Sequence, residues 1–131
     1  MSFLNLDLTN VQEFTTVKPD EYKLRILKAE IKTSQNTGGQ YISLLLDIPE
    51  IPLSKNINHT LMIPTASDDI KQANARKLGI INFLKAFGFD PGAPMETEQL
   101  VGAQGWALLD EKEEGDYGLQ NRVKRFIVPK S

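Results

Sequence analysis

"PDEYKLRILKAEIKT", residues 19–33, is the stretch whose reading decides the fold. Leu24 and Ile26 alternate with Lys23 and Arg25, the two-residue period of a strand with one buried face. The alternation slips at Ile26-Leu27, after which Ala29 and Ile31 continue in the opposite parity. A slip of one residue inside a long strand is what a bulge produces, and bulges bend strands into barrels.

The flanking segments fit that bend. "SQNTGGQ" (34–40) is a polar, Gly-bearing loop of the kind that joins antiparallel strands. In "YISLLLDI" (41–48), Ile42, Leu44, Leu46 and Ile48 share one face, with Tyr41, Ser43, Leu45 and Asp47 on the other. "PEIPLSKN" reads as a loop and "INHTLMIP" as a third strand stopped by Pro64. A helix is predicted over 67–88. Ser67 would be its N-cap, Asp68 and Asp69 would meet the positive end of its dipole, and Gly88 and Pro91 would end it. Its expected apolar face is Ile70, Ala73, Leu78, Ile81, Leu84 and Phe87. Gly79 costs up to ~1 kcal/mol inside a helix, which close packing on a sheet would explain. "LVGAQGWALLDEK" and "LQNRVKRFIV" read as two further strands joined across an acidic turn.

The order is three strands, a helix, then two strands. That is the connectivity of a mainly β, five-stranded OB-type barrel with its helix between strands 3 and 4. An open α+β sandwich shares the order. Residues 1–17 read as an N-terminal arm in which Leu4, Leu6, Leu8 and Phe14 should pack on the domain or on a second copy, and residues 18–131 as the OB-type domain. The 131 residues suffice for one core.

Composition excludes several chemistries. The chain has no Cys and one His, so a disulfide, a thiolate nucleophile and a Cys-ligated zinc are ruled out. No phosphate-binding glycine loop or nucleophile elbow is present, and the reading is of a non-enzyme without cofactor or metal. No apolar run reaches ~18 residues and no basic-then-apolar leader opens the chain, so a cytoplasmic protein with no membrane partner is expected.

Net charge is −2, but the charge is uneven. Lys18, Lys23, Arg25, Lys28 and Lys32 crowd the first strand. Arg122, Lys124, Arg125 and Lys130 crowd the last, while Asp110, Glu111, Glu113, Glu114 and Asp116 sit between the last two. Cations that follow phosphates, with aromatic faces between them, are what single-stranded nucleic acid requires. The candidate cations are Lys23, Arg25, Lys28, Arg122 and Lys124; the candidate stacking rings are Tyr41, Phe126, Trp106 and Tyr117. Phe126 either shares the face of Arg122 and Lys124 or is turned inward with Val123 by a bulge. Trp106 points out if Val101, Ala103, Gly105, Ala107 and Leu109 point in. Burying the indole with Leu108 is the preferred parity. His59 reads as an ordinary strand residue.

The first strand with its Tyr, the Gly-Gly-x-Tyr turn at 38–41, "ARKLGIINFLKAFGF" and the closing Asn-x-Val-x-x-Phe at 121–126 together resemble small phage-encoded single-stranded-DNA-binding proteins. The resemblance covers about residues 14–127. It implies an OB fold that coats single strands in phage replication or recombination, in the host cytoplasm, with the ligand along Tyr41 and Asn121 to Phe126. Phage or host replication and recombination proteins are its implied partners; a homo-oligomer follows only if the N-terminal arm crosses to a second copy. The ending "RFIVPKS" departs from replication single-strand binders that recruit partners through an acidic tail. The rival reading is an OB-like interaction module that recruits a phage recombinase or polymerase.

Overall fold

A computed structural model describes residues 9, 11–36 and 38–129. Strands β1 (Asp20–Thr33), β2 (Gln40–Asp47) and β3 (Ile57–Met62) precede helix α1 (Ile70–Ala86), and β4 (Gln104–Glu113) and β5 (Leu119–Phe126) follow it. All pairings among these five strands are antiparallel, in the order β3-β2-β1-β4-β5, and β3 meets β5 to make a nearly closed barrel of the OB type.

β1 makes this closure possible. Its first half pairs with β4 from Asp20 to Arg25, and its second half pairs with β2 from Arg25 to Thr33. The register shifts between Ile26 and Lys28, where the sequence slips. The bulge keeps Leu24 and Ile26 inside on one side of the bend and Ala29 inside on the other. They meet Leu44, Leu46, Ile57, Leu61, Ala107 and Leu109 in the core. Each large aliphatic side chain buried there contributes ~1.5–3 kcal/mol.

α1 covers one end of the barrel with a different cap from that expected and with only part of the expected face, Leu84 and Phe87, turned to the core. Asp69 is the N-cap, accepting from the Gln72 N–H at 2.7 Å. Asp68 accepts from the Thr65 N–H and holds Arg76 at 2.9 Å. The Thr65 bond, with Arg76, keeps the Asp68 carboxyl below the usual carboxylate range. Phe83, Ala86 and Phe87 are the buried residues, flanked by Ile80 and Leu84, whereas Ile70 is 92% exposed and Leu78 is also exposed. Apolar residues lie on both sides of this helix, and the side that turns in is the one that packs Phe83 and Phe87 against Phe126. Gly88 ends the helix at φ 83°, as read from the sequence.

Gly79 does not serve close packing: nothing lies within 4 Å of where its Cβ would be. The close approach is at Gly105, where a Cβ would stand 2.5 Å from the Ala86 carbonyl oxygen.

The described part of the arm docks through backbone. The Thr15 N–H donates to the Leu53 carbonyl, and the Lys55 N–H donates to the Thr15 carbonyl. The buried Asn121 side chain accepts from the Val17 N–H and donates to the Val17 and Asp110 carbonyls. Phe14, expected to pack, is 59% exposed, because main-chain bonds rather than its ring hold the segment. Leu4, Leu6 and Leu8 lie outside the described residues.

Candidate nucleic-acid interface

The register of β1, β2 and β3 places three rows of side chains on the outside of the barrel. Lys28 lies beside Leu45 and Asn58, Glu30 beside Ser43 and Thr60, and Lys32 beside Tyr41 and Met62. Each row alternates with buried neighbours such as Ala29 and Leu44, so the strand period points these residues outward. The third strand carries the surface on to β5, since Asn58 and Thr60 line one groove with Arg122 and Lys124. A polar strip thus runs from β1 across β2 and β3 to β5, with Tyr41 half-buried at one end.

The cations on this strip differ in freedom. Arg25 is clamped to Asp47 by two hydrogen bonds of 2.6 and 3.1 Å, and these bonds, with the charge behind them, raise its pKa. Lys28 and Lys32 share Glu30 at 3.0 and 3.7 Å, and the Lys28 hydrogen bond leads in lowering that carboxyl's pKa. Arg122 stands 3.6 Å from Asp110 Oδ1, too far for a hydrogen bond, and that oxygen is buried without a donor. Lys124 makes no ion pair among the described residues. These pairs are exposed or part-exposed, where ion pairing is worth ~0–1 kcal/mol, so a phosphate can displace them cheaply. Arg25 is the most firmly held.

Phe126 is not on this surface. The ladder steps from Leu108–Arg125 to Leu109–Val123, which leaves Lys124 as an extra residue in β5. That bulge turns Phe126 inward, with its ring centroid 5.1 Å from His59, 5.3 Å from Phe83 and 5.8 Å from Phe87. Packed in this way, Phe126 is a partly buried neighbour of the core, and what remains exposed of it lines a groove with Lys124 and Arg125. Asn121, on the ligand strand implied by the resemblance, is 4% exposed and fastens the arm instead. His59 faces the same interior, and burial lowers its pKa, so it is neutral near pH 7.

Trp106 corrects the sequence reading in the other direction. Gly105, Ala107 and Leu109 are buried and Trp106 is 45% exposed, because only a glycine fits where β4 passes the Ala86 carbonyl. Its neighbour across the ladder is Lys23, and Arg125 lies opposite Leu108. Trp106 and Lys23 therefore sit on the outside of β1 and β4, a different face from Tyr41. Tyr117 ends a short 3₁₀ turn, Gly115–Tyr117, between β4 and β5, and its side chain is outside the described set.

Lys32, Asn58 and Thr60 belong to the strip and were missed. The parity after the β1 bulge, Lys28, Glu30, Lys32, carried the signal for the first of them. Among the described residues no three His, Asp or Glu side chains are placed to hold a metal ion, and no helix is long and apolar enough to cross a membrane.

Fold and surface define a small OB-type barrel with a basic polar strip over β1, β2, β3 and β5. The chain belongs to the family described as "Protein of unknown function (DUF669)", whose model matches residues 4–115. No curated protein matches it.

Proposed function

We propose that the protein binds single-stranded DNA without sequence preference, as a non-catalytic coating protein of phage replication or recombination in the host cytoplasm. The observation that carries this reading is the strip itself. Lys28, Lys32, Arg122 and Lys124 border a floor of Ser43, Asn58 and Thr60, and Tyr41 offers a ring at its end. Phosphates would replace the loose carboxylate partners of these cations, and a base would stack on Tyr41. Trp106 with Lys23 supplies a second ring–cation pair on the neighbouring face, which a strand leaving the strip could reach around β1.

Replacing Arg122 and Lys124 by Ala should weaken oligo-dT binding and flatten the slope of log affinity against log salt by up to ~0.7 for each phosphate no longer neutralised. Tyr41→Ala should cost ~1–3 kcal/mol with that slope nearly intact, because stacking neutralises no charge. A fold-preserved triple variant with wild-type affinity would overturn the reading. The rival, a protein-recruiting module, draws on the exposed Val101, Trp106 and Val128. It is favoured if the wild type ignores oligo-dT at low salt.

A further inference from the structure

The outward side of α1 has no partner among the described residues. At 100° per residue, Ile70, Lys71, Lys77, Leu78, Ile81 and Lys85 all fall within about 60° of the direction opposite Phe83. α1 contains no acidic residue, and its fourth cation, Arg76, is turned to Asp68. Lys71, Lys77 and Lys85 enter no ion pair among the described residues. They flank an apolar stripe formed by Ile70 and Leu78, both exposed, and Ile81.

The opposite charge lies at the other end of the molecule. Glu113, Glu114 and Asp116 are exposed at the β4–β5 tip, again without an ion pair among the described residues, and Leu119 beside them is 48% exposed. The cations beside that tip are Lys112, Lys55, whose Nζ donates to the Leu119 carbonyl at 3.0 Å, and Arg122, which lines a groove with Glu114. α1 meets the sheet at Gly105 and Phe126, where Ala107 pairs with Phe126. The tip begins at Glu113, six residues further along β4, which is ~20 Å at strand rise. That exceeds the ~8 Å screening length at physiological salt, so the two patches cannot neutralise each other within one chain.

We propose that copies of this chain associate head to tail, the acidic β4–β5 tip of one seating on the outward face of α1 of the next. The tip brings three carboxylates to three lysines and Leu119 to the apolar stripe. Such an interface joins two different surfaces and leaves one of each free, so it extends into open chains rather than closing as a pair. If the single-strand reading above holds, a strand's fixed direction would orient bound copies alike and present each tip to the neighbouring helix. That consequence alone rests on that reading.

The test is sedimentation velocity on the full chain without nucleic acid, at about 20 mM and about 500 mM salt. The weight-average mass should rise at least two-fold with protein concentration at low salt, pass the dimer without a plateau, and return to the monomer at high salt. Lys77→Glu with Lys85→Glu should abolish association, as should Glu113→Lys with Glu114→Lys, with circular dichroism melting to confirm folding. An equimolar mixture of the two variants should associate again, because each now offers the surface that the other lacks. A wild type monomeric at low salt, either variant associating alone, or a mixture that stays monomeric overturns the proposal. A separate titration with oligonucleotides holding one or two copies reads the DNA consequence. Cooperativity of at least ten-fold on the longer strand, lost in both variants, supports it. Failure to bind the shorter strand refutes the single-strand reading and leaves the sedimentation result standing.

Discussion

Two glycines should respond to the same substitution with opposite signs. At Gly105 a Cβ would lie 2.5 Å from the Ala86 carbonyl oxygen and 3.0 Å from Phe87 Cγ, where ordinary contact begins at 3.4 Å. Gly105→Ala must therefore push β4 and the end of α1 apart by nearly 1 Å, and neither can yield cheaply because both are backbone. Forced overpacking of this kind costs ~1–3 kcal/mol. At Gly79 nothing lies within 4 Å, and Ala is the better helix former by ~0.8–1 kcal/mol. With an unfolding entropy of ~2.1 cal/mol/K per residue, the 131 residues give ~0.28 kcal/mol/K. Gly105→Ala should then lower Tm by ~4–11 °C and Gly79→Ala raise it by ~3 °C, read by thermal melts and checked by urea midpoints. A Gly105→Ala protein as stable as wild type would refute the close approach of β4 to α1. A destabilised Gly79→Ala would refute the open space over the helix.

Phe126→Ala should remove ~3–5 kcal/mol of stability, because the ring fills the space between His59, Phe83 and Phe87, whereas Tyr41→Ala should change stability by less than ~1 kcal/mol; urea titration separates the two, and equal costs would place the rings wrongly. Asn121→Ala removes three hydrogen bonds, to the Val17 amide and to the Val17 and Asp110 carbonyls, so it should cost at least ~2 kcal/mol and open the chain near Val17 to limited proteolysis. His59 has a folded-state pKa below its unfolded value, so its contribution is complete above pH ~6.5 and is lost as pH falls below that. Unfolding free energy should fall by up to ~1.4 kcal/mol per pH unit there, and His59→Gln should flatten that dependence; a wild type equally stable at pH 7.5 and pH 5 would contradict burial of the imidazole.

The fold was legible where period and punctuation agreed. The slipped parity of β1, the alternation of β2 and Gly88 after α1 each had one physical reading, and the barrel follows from them. The inward side of α1 was legible only in part: Leu84 and Phe87 of the expected face do meet the core, but Ile70, Leu78 and Ile81 are as apolar as Ile80 and Phe83, and packing against Phe126 and β4 selects between them. Trp106 lies outside despite its apolar indole because position 105 must be a glycine facing α1, a steric demand that the sequence does not show. Phe126 hung on one bulged residue, Lys124, that no periodicity reveals. The cations could be counted in the sequence, but the carboxylates that hold Arg25 and lie near Arg122 are cross-strand neighbours, visible only once the register is known.

The meeting of β3 and β5 has a consequence for solubility. No hydrogen-bonded ladder joins these two strands, so each leaves an edge to which a foreign strand could add. β5 guards its edge with Arg122, Lys124 and Arg125, and the bulge at Lys124 breaks the regular spacing of its amides. These charges are thus gatekeepers against aggregation. If the proposed single-strand binding holds, variants that neutralise β5 lose affinity and colloidal stability together, so aggregation has to be measured beside binding in each of them.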